Sequence, residues 1–215
     1  MSTDIEINTS SPLTHSRGVR RQRTSPLPLP SRQPLLPVRI FWRIRQFVRG
    51  VIAHVDADEM LVAARYLPKA ALCRFCQMPL DGQRHSLNVL YTLQQAGWYD
   101  PDLAAAALLH DVGKVAGNDA GIALSPWLRG PLVLLDALAP GKVAELAADT
   151  PAAGWRYLLH VHREHSAIGA AWAAEDGCSE LTCWLIAHHQ DKPNGKPANR
   201  QEELLALLQW ADSRN

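Results

Sequence analysis

From residue 53 onward, apolar positions recur at intervals of three and four, and strand-like alternation is scarce. The pattern predicts helices almost throughout and an all-α fold. Several helices carry start and stop signals. In DPDLAAAALLHDVG, Asp100 is placed as N-cap, Pro101 at the first helical position and Asp102 in the first turn, with Gly113 placed to end the helix. EHSAIGAAWAAEDG runs to Gly177, and SELTCWLIAHH opens at Ser179. NRQEELLALLQWAD opens with Asn199, followed three residues later by Glu202, the spacing of a capping box. No internal repeat, phosphate-binding glycine loop or nucleic-acid-reading motif is present, so no specific nucleic-acid binding is expected.

Ahead of these helices the pattern changes. Residues 1–38 are rich in Ser, Thr, Pro and Arg, and the prolines of RTSPLPLPSRQPLLP forbid a regular helix. This stretch reads as a disordered, solvated arm. In IFWRIRQFVRGVI, residues 40–52, Ile40, Ile44, Phe47, Val48 and Val51 share a helical face with the arginines elsewhere. Such a helix either docks its apolar stripe on its own fold, the commoner use, or makes a weak contact with an anionic membrane surface. The organisation expected is a basic arm over 1–38 and one helical domain over 39–215.

Composition narrows the class without giving a function. The 215 residues are 47% hydrophobic and 20% charged, as in an ordinary soluble protein. The net charge of +1 hides an asymmetry, since residues 1–50 carry about +7 and the remainder about −6. No run approaches the roughly 20 apolar residues of a membrane span. The N-terminus MSTDIEINTSS lacks the basic-then-apolar order of a secretory signal. A cytoplasmic setting with reduced thiols is expected. Cys73-x-x-Cys76 admits a zinc or redox reading, but Cys178 and Cys183 are spaced unlike a zinc knuckle, which favours buried or free thiols.

The chemistry lies in polar residues on stripes that should be apolar. His85 shares a stripe with Val89, Leu93 and Ala96; His110 follows Leu103, Ala106 and Ala107. His165 lies with Ile168, Gly169, Trp172 and Ala173, His188 with Leu181, Trp184 and Leu185, and Asp212 with Leu205 and Leu208. A lone inward histidine is usually a hydrogen-bonded core residue. A buried carboxylate costs several kcal/mol unless a cation or donor compensates it, so Asp111 and Asp212 both need a partner. Imidazoles and carboxylates converging from several helices form a site for divalent metal, whose charge offsets the carboxylates.

His85, then His110-Asp111 in LLHDVGK, His165 in EHSAIGA, His188-His189 in AHHQ and Asp212 in LLQWADSRN together resemble the HD-domain superfamily of metal-dependent phosphohydrolases. The ordered set spans about residues 81–213, with Lys114 three residues after Asp111. The resemblance implies an all-helical HD-domain bundle in which His85, His110, Asp111 and Asp212 hold one metal. Asp111 would bridge to a second held by His165, His188 and His189. Adjacent His188 and His189 diverge by about 100° on a helix, so both can ligate only if the helix ends there. The cyclic-dinucleotide branch of the superfamily carries a Gly-Tyr-Pro motif after the paired histidines, and this chain reads QDKPNGKPAN instead. The interval between Asp111 and His165 is long, and its 115–160 insert reads as extra packing, a lid or a dimer face.

The activity implied is hydrolysis of phosphate esters or anhydrides, above all of a nucleotide or dinucleotide, by a metal-activated hydroxide. Asp111 and Lys114 would carry the catalysis, and Lys114, Arg84 and Arg163 would meet substrate phosphates. One or two divalent ions are implied, with Mn, Fe, Mg, Co, Ni and Zn all open. Two alternatives stand: a di-iron oxygenase, since some HD-fold proteins use a similar ligand set around two irons, and a non-catalytic module that senses a nucleotide. The sequence leaves the oligomeric state open.

Overall fold

The computed structural model describes residues 54–120, 141, 145–192 and 195–215. The basic arm, the 40–52 segment and most of 121–144 lie outside the described residues. Seven α-helices and two 3-10 segments follow one another, with no strand among the described residues. They are α1 (Ala57–Tyr66), α2 (Lys69–Cys76), α3 (Leu80–Gln95), α4 (Pro101–Leu109), η1 (Val112–Ala120), η2 (Pro151–Ala153), α5 (Trp155–Glu175), α6 (Glu180–His188) and α7 (Arg200–Asp212). The all-α expectation holds. None of these helices is long and apolar enough to cross a membrane.

Helix α4 is the axis. Every residue from Leu103 to Leu109 is buried, and α1, α2, α3, α6 and α7 all pack on it. A helix apolar on all sides must be enclosed by others, and its run of alanines lets the neighbours come close. Full burial of a leucine such as Leu108 contributes about 2 kcal/mol. Around this axis α7 packs on both α3 and α6, while α5 lies against η1 and α6. The described ends of the 115–160 insert join the interior, where Ala116 packs with Tyr157 and Val161. Arg74 ties α2 to the end of α5, with its Nε 2.6 Å from Asp176 Oδ2 and its guanidinium 4.6 Å over the Trp172 ring.

The cap signals are largely made. Asp100 Oδ1 accepts from the Asp102 and Leu103 amides, each at 3.1 Å, and Ser179 Oγ accepts from the Thr182 amide at 3.0 Å. Helix α5 ends in a Schellman motif, with Gly177 at φ +85° and the Gly177 and Cys178 amides bonded back to Ala174 and Ala173. Two expectations are corrected. Asn199 Oδ1 does accept from the Glu202 amide at 2.9 Å, but the Glu202 carboxylate returns to the Ala198 amide, so the box is displaced by one residue. The reciprocal box stands instead at Asp56 and Glu59, opening α1.

The second correction concerns Gly113, which is not a helix terminator. Helix α4 stops at Leu109 with His110 as its C-cap, and the chain continues through Asp111 into η1. Gly113 is needed for proximity. A Cβ there would stand 2.0 Å from the His165 carbonyl oxygen and 2.7 Å from the Gly169 amide nitrogen, both backbone atoms of α5. Gly169 faces it in turn, with a hypothetical Cβ 3.2 Å from the Gly113 nitrogen. Two glycines thus let η1 lie directly on α5. Overpacking this contact costs about 3 kcal/mol, so Gly113→Ala is expected to lower the unfolding midpoint sharply. Gly82→Ala, whose Cβ would meet only Met78 and Pro79 side-chain atoms at 3.4 Å or more, is expected to be neutral or stabilising by up to about 1 kcal/mol. Denaturant unfolding of the two variants checks the contrast.

Candidate metal centre

Five elements deliver six side chains to one place. His85 comes from α3, His110 caps α4, Asp111 follows it, His165 stands midway along α5, His189 caps α6 and Asp212 ends α7. They form two groups whose ligand atoms lie within 4.8 Å of one another: His85, His110 and Asp212, and Asp111, His165 and His189. The imidazoles run as a chain, with ring centroids 5.2 Å apart from His85 to His110, 5.2 Å from His110 to His189 and 5.4 Å from His189 to His165.

Three of the histidines are oriented by one repeated device. The Nδ1 of His110 donates to the Ala107 carbonyl at 3.0 Å, that of His165 to His162 at 2.8 Å and that of His189 to Ile186 at 2.8 Å. Each acceptor is three residues earlier on the same helix. Committing Nδ1–H to a carbonyl leaves Nε2 as the free ligand atom and fixes the plane of the ring. His162 therefore serves the site through its backbone, and His160 stacks on Tyr157 at 5.9 Å.

Asp111 joins the two groups. Its Oδ1 lies 3.5 Å from His165 Nε2 and 3.8 Å from His189 Nε2, while its Oδ2 lies 3.7 Å from His110 Nε2 and 2.6 Å from Lys114 Nζ. Asp212 Oδ1 accepts from His85 Nε2 at 2.9 Å and stands 3.6 Å from His110 Nε2. The gaps of 3.5–3.8 Å are too long for hydrogen bonds. The Nε2 atoms of His110 and His165 are buried without a hydrogen-bond partner, a costly state for a polar atom. Donors bound at about 2.1 Å to a shared tetrahedral ion stand about 3.4 Å apart, so these orphaned nitrogens and facing carboxylates fit a divalent cation between them. The chemistry of the set, four imidazoles and two carboxylates, suits first-row transition metals.

The protonation states follow from the same crowding. Burial works to raise the Asp111 pKa, but Lys114 and the neighbouring histidines overcome it and hold the carboxyl well below its usual range. Burial likewise opposes ionisation of Asp212, whose contacts with His110 and His85 keep it low. For His110, burial lowers the pKa but the two carboxylates win and raise it. His189 is held down to about 4, first by burial and then by His110.

Three expected site residues are placed elsewhere. His188 belongs to neither group: its Nδ1 lies 2.6 Å from Asp191 Oδ2 and its ring packs 4.5 Å from Trp184. The helix does end there, but His189 keeps αR backbone angles (φ −60°, ψ −21°), so the divergence of about 100° survives. The buried stripe of α6 is Thr182, Leu185, Ile186 and His189, a spacing of 0, 3, 4 and 7 that was readable. Arg84 is turned onto α1, donating to Glu59 and to the His54 carbonyl. Arg163 is exposed, about 200° round the helix from His165, and lines a cleft of about 340 Å³ with Ala147, Ala148, Asp149, His160 and Glu164. The four cysteines are free, and among the described residues none joins a metal-sized group.

The fold and this arrangement of imidazoles and carboxylates fit a helical domain able to hold metal, and comparison with known families gives its lineage. The chain belongs to the HD-domain family, whose model, HD domain, matches residues 82–214. Comparisons with curated proteins and with solved structures returned no match. Family membership places the chain in a superfamily of metal-dependent phosphohydrolases. Helices α1 and α2 precede the matched region.

Two outcomes are expected. After loading with Mn²⁺ and desalting, His189→Ala loses bound metal by elemental analysis, while His188→Ala keeps the wild-type content. In metal-free protein, His189 stays neutral until the pH falls to about 4. The unfolded chain takes up that proton near 6.5, so this residue's contribution to stability is intact above 6.5 and is lost on acidification toward 4. A long-range ¹H–¹⁵N titration of the His189 ring checks the midpoint.

Proposed function

We propose that this chain is a hydrolase of phosphate esters or anhydrides, acting on a small phosphorylated substrate, with a nucleotide or dinucleotide as the substrate class. The observation that carries the reading is Asp111, a nearly buried carboxylate whose two oxygens face separate His/Asp groups while an ammonium stands beside one of them. The chemistry that divalent ions supply when bound there is activation of a water and neutralisation of charge on phosphoryl oxygens. The chain's own residues do the rest. His110, His165 and His189 present Nε2 in a fixed direction, which removes reorganisation from the reaction. Lys114, with 40% of its side chain exposed, is the cation best placed to meet an incoming phosphate. Arg84 and Arg163, engaged elsewhere, take no part in this scheme.

One observation favours a second reading. Each group is two histidines and one carboxylate, the ligand triad that non-haem Fe(II) oxygenases use with open positions. Oxygen chemistry at two irons is therefore the competing activity.

Both readings are tested on the full-length protein loaded in turn with Mn²⁺, Mg²⁺, Co²⁺ and Fe²⁺. Phosphate release from a panel of nucleotides and dinucleotides is expected with at least one ion, and Asp111→Asn is expected to lower it by about 10³-fold. Full turnover by Asp111→Asn would place the hydrolysis at another site. Oxygen uptake by the iron-loaded protein, without phosphate release, would favour the oxygenase.

A further inference from the structure

We infer that Lys114 is the resident counter-cation of the metal-free centre, holding the Asp111 carboxylate where a divalent ion would otherwise neutralise it and giving it up when an ion binds. The inference rests on the metal-centre reading above.

Asp111 keeps only 14% of its side chain exposed, so its charge requires a cation or several donors. The imidazoles do not supply that bond. His110, His165 and His189 stand 3.5–3.8 Å from it, beyond hydrogen-bond range. Among the described residues Lys114 is the cation within range, 2.6 Å from Oδ2. It is held close by the turn that joins Asp111 to η1, where the Lys114 amide donates to the Asp111 carbonyl at 3.1 Å.

The two kinds of partner differ in mobility. The imidazoles are tied to helix carbonyls and cannot follow a change of charge. Lys114 has a flexible four-carbon stem and reaches solvent. A dication placed against Asp111 repels the ammonium, which can swing outward without disturbing the core. The ammonium, already 40% exposed, would then be free to meet an anionic phosphate. One lysine would thus set how tightly ions are held and, once displaced, meet the substrate.

The sign of a mutation separates this role from a structural one. If Lys114 merely braced η1, its loss would loosen the site and weaken metal binding. If it competes for Asp111, its loss leaves an uncompensated carboxylate and strengthens metal binding. The test uses full-length protein stripped with a chelator, with Zn²⁺ and Mn²⁺ affinities measured by competition against a chromophoric chelator. Lys114→Met is expected to bind at least about ten-fold more tightly than wild type, and Lys114→Arg to resemble wild type. Lys69→Met, which removes an exposed charge from α2, is expected to change nothing. Metal-free Lys114→Met should unfold at a lower temperature than wild type, with the gap closing on loading. A second measurement needs no variant: the Lys114 ammonium resonance of wild type, protected in the metal-free protein, should lose protection when Zn²⁺ is added. Equal or weaker binding by Lys114→Met, or an ammonium signal indifferent to Zn²⁺, overturns the inference while wild type still binds. Failure of wild type to take up any ion would instead overturn the metal-centre reading itself.

Discussion

The structure turns on a nearly buried carboxylate that has no intrinsic right to be there. Asp111 sits at the junction of α4 and η1 with 14% of its side chain exposed, and desolvation alone would push it toward the neutral acid. It is kept ionised by Lys114, by His110 and by His165. That requirement explains why α4 stops where it does. Had the helix run on to Gly113, Asp111 and Lys114 would have been carried round its axis in helical steps. The early stop at Leu109 and the tighter winding of η1 instead turn Asp111 toward α5 and α6.

Bringing those helices within reach is a problem of backbone distance, and the glycine pair solves it. Gly113 and Gly169 have almost no room for a side chain between them, so His165 can stand 3.5 Å from Asp111. A glycine inside a regular segment costs about 1 kcal/mol relative to alanine. Here that cost sits at the contact that brings Asp111 and His165 together. The Nδ1-to-carbonyl bonds then fix each ring at its own helix, so that aim comes from local geometry and approach comes from the glycines. Neither would suffice alone: an aimed ring too far away, or a near ring free to rotate, would not define a site.

Helix positions and caps were legible in the sequence because both are local. Asp100, Ser179 and Gly177 act where their chemistry places them. The convergence of His85, His110, Asp111, His165, His189 and Asp212 was legible only as a joint pattern, through their shared order and their resemblance to a family. What local reading missed was direction. His188 and His189 are adjacent, and the stripe Leu181–Trp184–His188 looked as apolar as the stripe Thr182–Leu185–Ile186–His189, which is the one the core covers. Arg84 and Arg163 lie next to ligands in sequence, but neighbours on a helix point about 100° apart per residue, and each found a partner on its own side. Gly113 was read as a terminator because its tertiary contact with α5 lies more than 50 residues away.

The arrangement also has an electrostatic polarity that side-chain charges alone do not convey. His110 and His189 are the C-caps of α4 and α6, and Asp212 is the last residue of α7. Three helices therefore turn their C-terminal ends, each equivalent to about half a negative charge, toward one place. Two carboxylates add to this field, and Lys114 subtracts from it. A centre so built attracts cations and repels phosphate. On the proposed reading an anionic substrate would approach only after the local sign had been reversed, and among the described residues Lys114 is the cation beside the carboxylates. On that reading the order of binding would follow from the packing: cation first, phosphate second, with Lys114 released from the carboxylate toward the incoming anion as the field changes sign.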